Sequence, residues 1–282
     1  MRARAPASSA NLGPGFDALA LALGTYVEVT VAPAARLHIV AEGEGADLPM
    51  DGSHLAVRVA AGVVGHDRLA IEVRSEIPVG RGLGSSAALA AAAASAAGAE
   101  DPLAVAAEVD GHPENAAASV LGGLVAATMI DGHPVAVPLP LDEALAFVVV
   151  IPDRQLPTKE ARHALPAMVP HQDAAFNLGR MGLLVAGLAD HAVLRPQATE
   201  DRLHQPQRTA LYPEAPALLA GLREAGAVAT CWSGAGPTIL AICLRDAAPT
   251  VRDAGERLLG AVGLTGTARL LDPDRRGLIR ER

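Results

Sequence analysis

The sequence predicts a two-domain protein of the α+β class, on three observations. Its 282 residues exceed the roughly 100–200 typical of one domain. Its first third places period-two alternation, the mark of half-buried strands, ahead of the first long helical stretch. Its second half alternates short apolar runs with helical ones, as in a small antiparallel sheet backed by helices.

The elements follow in chain order. Thr25 to Ala32 (TYVEVTVA) and Leu37 to Glu42 alternate apolar and polar residues and read as strands. Ser53 to Val64 reads as a helix with Ser53 as its cap, and Arg68 to Ile77 returns to strand alternation. Pro78 to Gly84 (PVGRGLG) is rich in turn residues. Ser85 then opens a long alanine-dense helix, stopped near Gly98, because alanine is the best helix former and glycine a common terminator. Pro102 to Asp110 is a further helix, followed by the polar turn Gly111 to Asn115 (GHPEN), a short helical stretch and a strand over Gly123 to Met129. Pro134 to Pro140 (PVAVPLP) is proline-rich and is taken as the boundary between domains 1–140 and 141–282. Beyond it come a buried strand (Leu145 to Ile151) and helices over Lys159 to Leu165, Asp173 to Asp190 and Pro216 to Glu224. Strands at Ala227 to Trp232 and Thr238 to Leu244 flank the turn SGAGP, and a helix (Val251 to Val262) and a strand (Gly266 to Leu271) complete the chain.

Composition narrows the function. Half of the residues are apolar and 19% are charged, which suits a globular core and not a disordered chain. A net charge of −8 and only six aromatic residues remove both the basic footprint and the stacking platforms of nucleic-acid binding. Cys231 and Cys243 have no metal-ligand spacing and are expected to be packing residues of a reduced interior. The uncharged run Leu83 to Ala99 is too short and too weakly apolar for a membrane span, and the opening MRARAPASSANLGPG has no apolar signal core. A cytoplasmic protein is expected. Only one lysine, Lys159, and three asparagines, Asn11, Asn115 and Asn177, occur in the chain; where composition disfavours a residue type, a surviving copy draws attention to a specific role.

The most informative stretch is GLGSSAA, Gly82 to Ala88. Closely spaced glycines let backbone N–H groups approach an anion, the following helix N-terminus adds free N–H groups and the positive dipole end, and Ser85 and Ser86 add hydroxyls. Phosphate binding is the functional reading, and a plain glycine turn before a helix is the structural one. Gly82, Gly84 and Ala87 also satisfy a dinucleotide pattern, but no second strand ending in an acid follows at the required distance. Walker and protein-kinase sites need a lysine that is absent here. Three other segments stand out: the opening Ser8 to Leu23, where Asn11 and Asp17 flank a glycine turn; GHPEN; and Ser233 to Thr238 (SGAGPT). Each taken alone is accounted for as a turn or a helix start.

Together, in this order and spacing, PASSANLGPGFDALALAL, PVGRGLGSSAA, EVDGHPENAAASVLGG and WSGAGPTILA resemble the motifs of the GHMP kinase superfamily. LPTKEAR (Leu156 to Arg162) and DRLHQPQR (Asp201 to Arg208) resemble the branch acting on L-homoserine. The resemblance implies a ribosomal-S5-like N-terminal domain, a ferredoxin-like C-terminal domain, a homodimer, and transfer of the ATP γ-phosphoryl group to the homoserine side-chain hydroxyl. It implies a phosphate cradle of Pro78, Val79, Gly80, Arg81, Gly82, Leu83, Gly84, Ser85, Ser86, Ala87 and Ala88. Mg²⁺ would sit on Ser86 and an acid before GHPEN, either Asp110 or Glu108, since the family usually has Glu where this chain has Asp110, and Asp where it has Glu114. Asn11, Asp17, His112, Asn115 and Thr158 would surround the substrate, Arg162 and Arg208 would grip its carboxylate, and Asp17, Asn115 and Asp110 would serve catalysis. Lys159 is expected on the helix surface. A loose phosphoryl-transfer transition state needs positioning and charge neutralisation more than a strong base, so such a site works without a catalytic lysine. Two rivals remain: a superfamily kinase of mevalonate, shikimate or a sugar, and a nucleotide-binding regulator that has lost turnover.

Overall fold

A computed structural model describes residues 1–281. The chain forms β1 (Arg2–Ala10), β2 (Leu19–Pro33), β3 (His38–Gly43), α1 (Leu55–Val64), β4 (Leu69–Ser75), α2 (Ser85–Ala97), α3 (Pro102–Asp110), α4 (Glu114–Leu121), β5 (Leu124–Ile130) and β6 (His133–Leu139). It continues with β7 (Leu145–Pro152), α5 (Thr158–His163), α6 (His171–Ala189), α7 (Gln205–Arg208), α8 (Ala215–Glu224), β8 (Ala229–Trp232), β9 (Ile239–Leu244), α9 (Ala248–Ala261), β10 (Gly266–Leu271) and β11 (Ile279–Glu281). Short 3₁₀ turns lie at His191–Val193 and Pro196–Thr199.

These elements build two sheets. The seven-stranded sheet runs β11-β1-β2-β4-β3, with β5 paired to β2 and β6 to β5; the four-stranded sheet runs β10-β7-β9-β8 and is antiparallel throughout. Among the described residues, only the β3–β4 pair is parallel. The chain therefore returns at β11 to the sheet in which it began.

Helix α2 lies at the centre of the first core, touching β1, β2, α1, α3 and α4. Its alanines 87, 88, 90–94 and 96 are all buried, so methyl groups face neighbours on nearly every side. Alanine favours the helix, and its small side chain lets the surrounding elements approach closely. Facing it, β1 buries Ala3, Ala5 and Ala7. The second core packs α8 and α9 on the other sheet through Leu218, Leu222, Val251 and Leu259. Cys231 and Cys243 are buried, unpaired packing residues.

Three sequence expectations need correction. The first helix is capped by His54, whose Nδ1 accepts from the Ala56 N–H at 3.2 Å, whereas Ser53 hydrogen-bonds Asp51 in the preceding turn. Pro134 to Pro140, taken as the boundary, is mostly strand β6 of the first sheet, whose prolines are tolerated because it lies on a sheet edge. GHPEN is a turn only as far as Pro113, and Glu114 and Asn115 already belong to the first turn of α4. Among the described residues, no helix is long and apolar enough to cross a membrane.

Candidate active site

Four glycine-bearing segments, far apart in sequence, converge on one cleft of about 700 Å³. The first is the turn after β1, where Asn11, Leu12, Gly13 and Asp17 all have positive φ. Asparagine and aspartate accept this conformation better than other side-chain-bearing residues. The turn is held from two directions: Asn11 Nδ2 donates to Gly234 O at 2.9 Å, and Asn11 Oδ1 accepts from the Asp17 N–H at 3.1 Å.

The second segment is the glycine loop before α2. Gly84 sits at φ +64° immediately ahead of the helix, and a Cβ there would lie 2.1 Å from Ser8 Oγ and 2.9 Å from Asn115 Oδ1. Those two atoms are hydrogen-bonded to each other at 2.8 Å, so the loop rests directly on the end of β1 and on the third segment, GHPEN, whose Asn115 lies in the first turn of α4. At Gly82 a Cβ would lie 2.3 Å from Ser233 O, and Ser233 Oγ donates to Gly82 O at 2.6 Å. Glycine is thus required at both positions by close approach as well as by φ.

The cleft wall includes Asn11, Asp17, Val79, Gly80, Gly82, Gly84, Ser85, Ser86, Asp110, His112, Asn115, Thr158, Arg162 and Arg208. The remaining cradle residues point elsewhere: Pro78, Leu83, Ala87 and Ala88 are buried, and Arg81 reaches toward Asp153. Glu108 is exposed and outside the cleft, which leaves Asp110 as the acid of that pair inside it. Ser86 Oγ donates to Asp110 Oδ1 at 2.6 Å. Burial pushes the Asp110 carboxyl above its ordinary range, against the opposing pull of that hydrogen bond. Lys159 is exposed as expected, yet it also lines the cleft.

Opposite charges meet in the cleft. Arg162 forms a two-point pair with Asp17, Nη2 to Oδ1 at 2.8 Å and Nη1 to Oδ2 at 3.1 Å, with each side chain about a third exposed. Arg208 is buried, and both guanidinium carbons lie over the Phe16 ring, at 5.7 and 5.6 Å from its centroid.

Several residues at the wall have no role assigned by the sequence. Glu114 is buried with its Oε1 2.6 Å from His112 Nδ1, and its Oε2 has no partner among the described residues. Ser8 and Gly234 are bonded into the wall from distant segments. A second, apolar cavity of about 230 Å³ adjoins the first through the shared residues Val79, Ser85 and Ser86. Leu48, Pro49, Leu55 and Leu89 line it, with His54 at its edge. Its only signal in the sequence is the apolar pair Leu48–Pro49 within a loop.

Comparison with known proteins gives a consistent result. Residues 52–123 match the GHMP kinases N terminal domain and residues 174–261 the GHMP kinases C terminal family. A homoserine kinase of Rhodococcus opacus is 45% identical over 272 residues, covering 85% of this chain and 86% of that protein. One from Thermus thermophilus is 41% identical over 261 residues, covering 88% of each. The crystal structure of a homoserine kinase from Cytophaga hutchinsonii superposes with a TM-score of 0.84 at 26% identity, covering 99% of this chain and 96% of that one.

Proposed function

We infer that this chain, which belongs to the homoserine kinase family of the GHMP kinases, transfers the γ-phosphoryl group of ATP to the side-chain hydroxyl of L-homoserine. The observation that carries the reading is the placement of Asp17, Arg162 and Arg208 in the same cleft as the glycine loop. An amino acid presents one ammonium and one carboxylate, and a site for it needs an acid and at least one guanidinium beside the phosphate cradle. In this state Asp17 and Arg162 satisfy each other; the ammonium would take over Asp17 and the carboxylate the arginine side.

Backbone N–H groups of the glycine loop and of the first turn of α2 would hold the ATP phosphates. The adjoining apolar cavity suits the adenine ring, and His54, whose Nδ1 is occupied by the Ala56 N–H, keeps an Nε2–H donor at its edge. Ser86, Asp110 and the unpartnered Oε2 of Glu114 offer a set of hard oxygen atoms, which fits Mg²⁺; the ion would neutralise charge on the transferring phosphoryl group. Asp17, tied by its backbone to Asn11, would orient substrate rather than remove a proton. Asn115, fixed by Ser8, would hold the cradle side of the cleft. The homodimer and the cytoplasmic setting belong to this reading as expectations.

ADP release tests it. With Mg²⁺ and ATP, turnover is expected with homoserine and not with mevalonate, shikimate or a sugar. A preference for any of the latter, or release independent of an acceptor, would refute the assignment.

A further inference from the structure

Arg208 and Arg162 are not equivalent. Arg162 is neutralised by Asp17, whereas Arg208 forms no ion pair among the described residues and meets neutral acceptors alone. Its Nε donates to Ala161 O at 3.3 Å, and its Nη1 to Gly234 O at 3.3 Å and to His204 Nδ1 at 2.9 Å. A guanidinium can only donate, so His204 Nδ1 carries the lone pair and Nε2 the hydrogen, which points to Gly13 O at 2.8 Å. His204 is completely buried and stacks on Phe16 with ring centroids 5.0 Å apart.

The backbone that carries the imidazole is itself held, and the buried Asp201 carboxylate lies 3.6 Å from His204 Nε2. Asp201 accepts the backbone N–H groups of His204 and Gln205 at 2.9 and 2.6 Å, capping α7, and Asn177 on α6 donates to Asp201 at 2.7 Å. This gives one of the three asparagines, Asn177, a place in a chain of contacts ending at the cleft. It also ties the turn after β1, through Gly13, to the second half of the protein.

We infer that His204 is a positioning residue for substrate recognition: as an uncharged acceptor it aims Arg208 into the cleft and leaves its positive charge for the carboxylate of the bound amino acid. The inference rests on the proposed activity and adds to it a division of roles between the two arginines. Burial supports it from a second side. It pulls His204 down to about 4, so the ring stays uncharged near neutrality, while Arg208, pulled down to about 10 by burial and by Arg162, stays charged. An acid in place of the imidazole would still accept from Arg208 and, when ionised, would consume its charge.

The test compares His204→Gln with His204→Glu, two side chains of nearly equal size. Glutamine keeps a neutral acceptor for Arg208, and its homoserine KM is expected to stay within about threefold of wild type. Glutamate is expected to raise that KM by about tenfold or more, the scale of a lost charge-assisted contact, with ATP KM unchanged. The glutamate variant should also lose discrimination between homoserine and 3-aminopropan-1-ol, which lacks the carboxylate. If it does not fold, as judged by ATP binding, His204→Phe decides: the ring stack survives, the acceptor is lost, and homoserine KM should rise while ATP KM does not. Equal homoserine KM values for the Gln and Glu variants, or a Phe variant matching wild type, would overturn the role of His204. A wild type without homoserine-dependent ADP release would overturn the functional reading itself.

Discussion

Replacing Asp17 with Asn removes one negative charge from the cleft and disturbs little else. Asp17 has φ +54°, a conformation that asparagine accepts as readily as aspartate. The Asn11 contact is made by the backbone of Asp17 and survives. The pair with Arg162 is about a third exposed on each side, so its loss should cost about 0.2–1 kcal/mol of stability, or up to about 4 °C in Tm for a protein of this size. The effect on substrate is larger. A charge-assisted contact to an ammonium contributes about 1.5–3 kcal/mol, roughly ten- to more than a hundredfold in binding. The variant also frees Arg162, which should favour an acceptor that has the carboxylate and lacks the ammonium. The measurement is kcat/KM for homoserine and for 4-hydroxybutanoate, by coupled ADP release in both proteins. The ratio between the two substrates should fall by about tenfold or more in Asp17→Asn. A ratio unchanged in a variant of normal ATP affinity would show that the ammonium is read elsewhere.

Two further predictions concern other acids. Asp110→Asn should raise the Mg²⁺ concentration needed for half-maximal turnover and lower kcat; if Glu114→Gln does this and Asp110→Asn does not, the ion is held by Glu114. Asp142, whose carboxylate accepts the backbone N–H groups of His191 and Ala144 and the His191 ring, is pulled down to about 2, chiefly by the His191 N–H. Its folded value lies below the ordinary one, so it stabilises the fold above about pH 4 and loses that effect as pH falls toward 2. Asp142→Asn should therefore lower Tm at pH 7, and the gap to wild type should close on acidification. A gap that persists at pH 2 would refute the ionised contact.

The sequence revealed elements with local punctuation. Helix α3 runs from Pro102 to Asp110 as expected because Asp101 caps it and Gly111 ends it in the left-handed conformation. The glycine loop was legible because its backbone demands glycine. Strand β1 carries no such signal: its core face is Ala3, Ala5 and Ala7, too weakly apolar to give a clear alternation, and it is specified by pairing with β2 and by the alanines of α2. The network Asn177–Asp201–His204–Arg208 joins residues up to 31 positions apart to Gly13, and nothing in local pattern announces a contact between an imidazole and a distant carbonyl. The apolar cavity behind Ser85 was hidden because its lining is divided among a loop, strands and two helix faces.

The methyl-lined seat of α2 has a mechanical consequence. Alanine loses no rotamer freedom on burial and offers no torsion through which a neighbour could yield, and interiors packed at this density transmit displacement instead of absorbing it. The wall that carries the glycine loop therefore has no slack. The opposite wall is of another kind: in α5, which brings Thr158, Lys159 and Arg162, only Ala161 is buried. Adjustment to the arrival or departure of a small molecule is therefore expected on that side of the cleft rather than on the methyl-packed one.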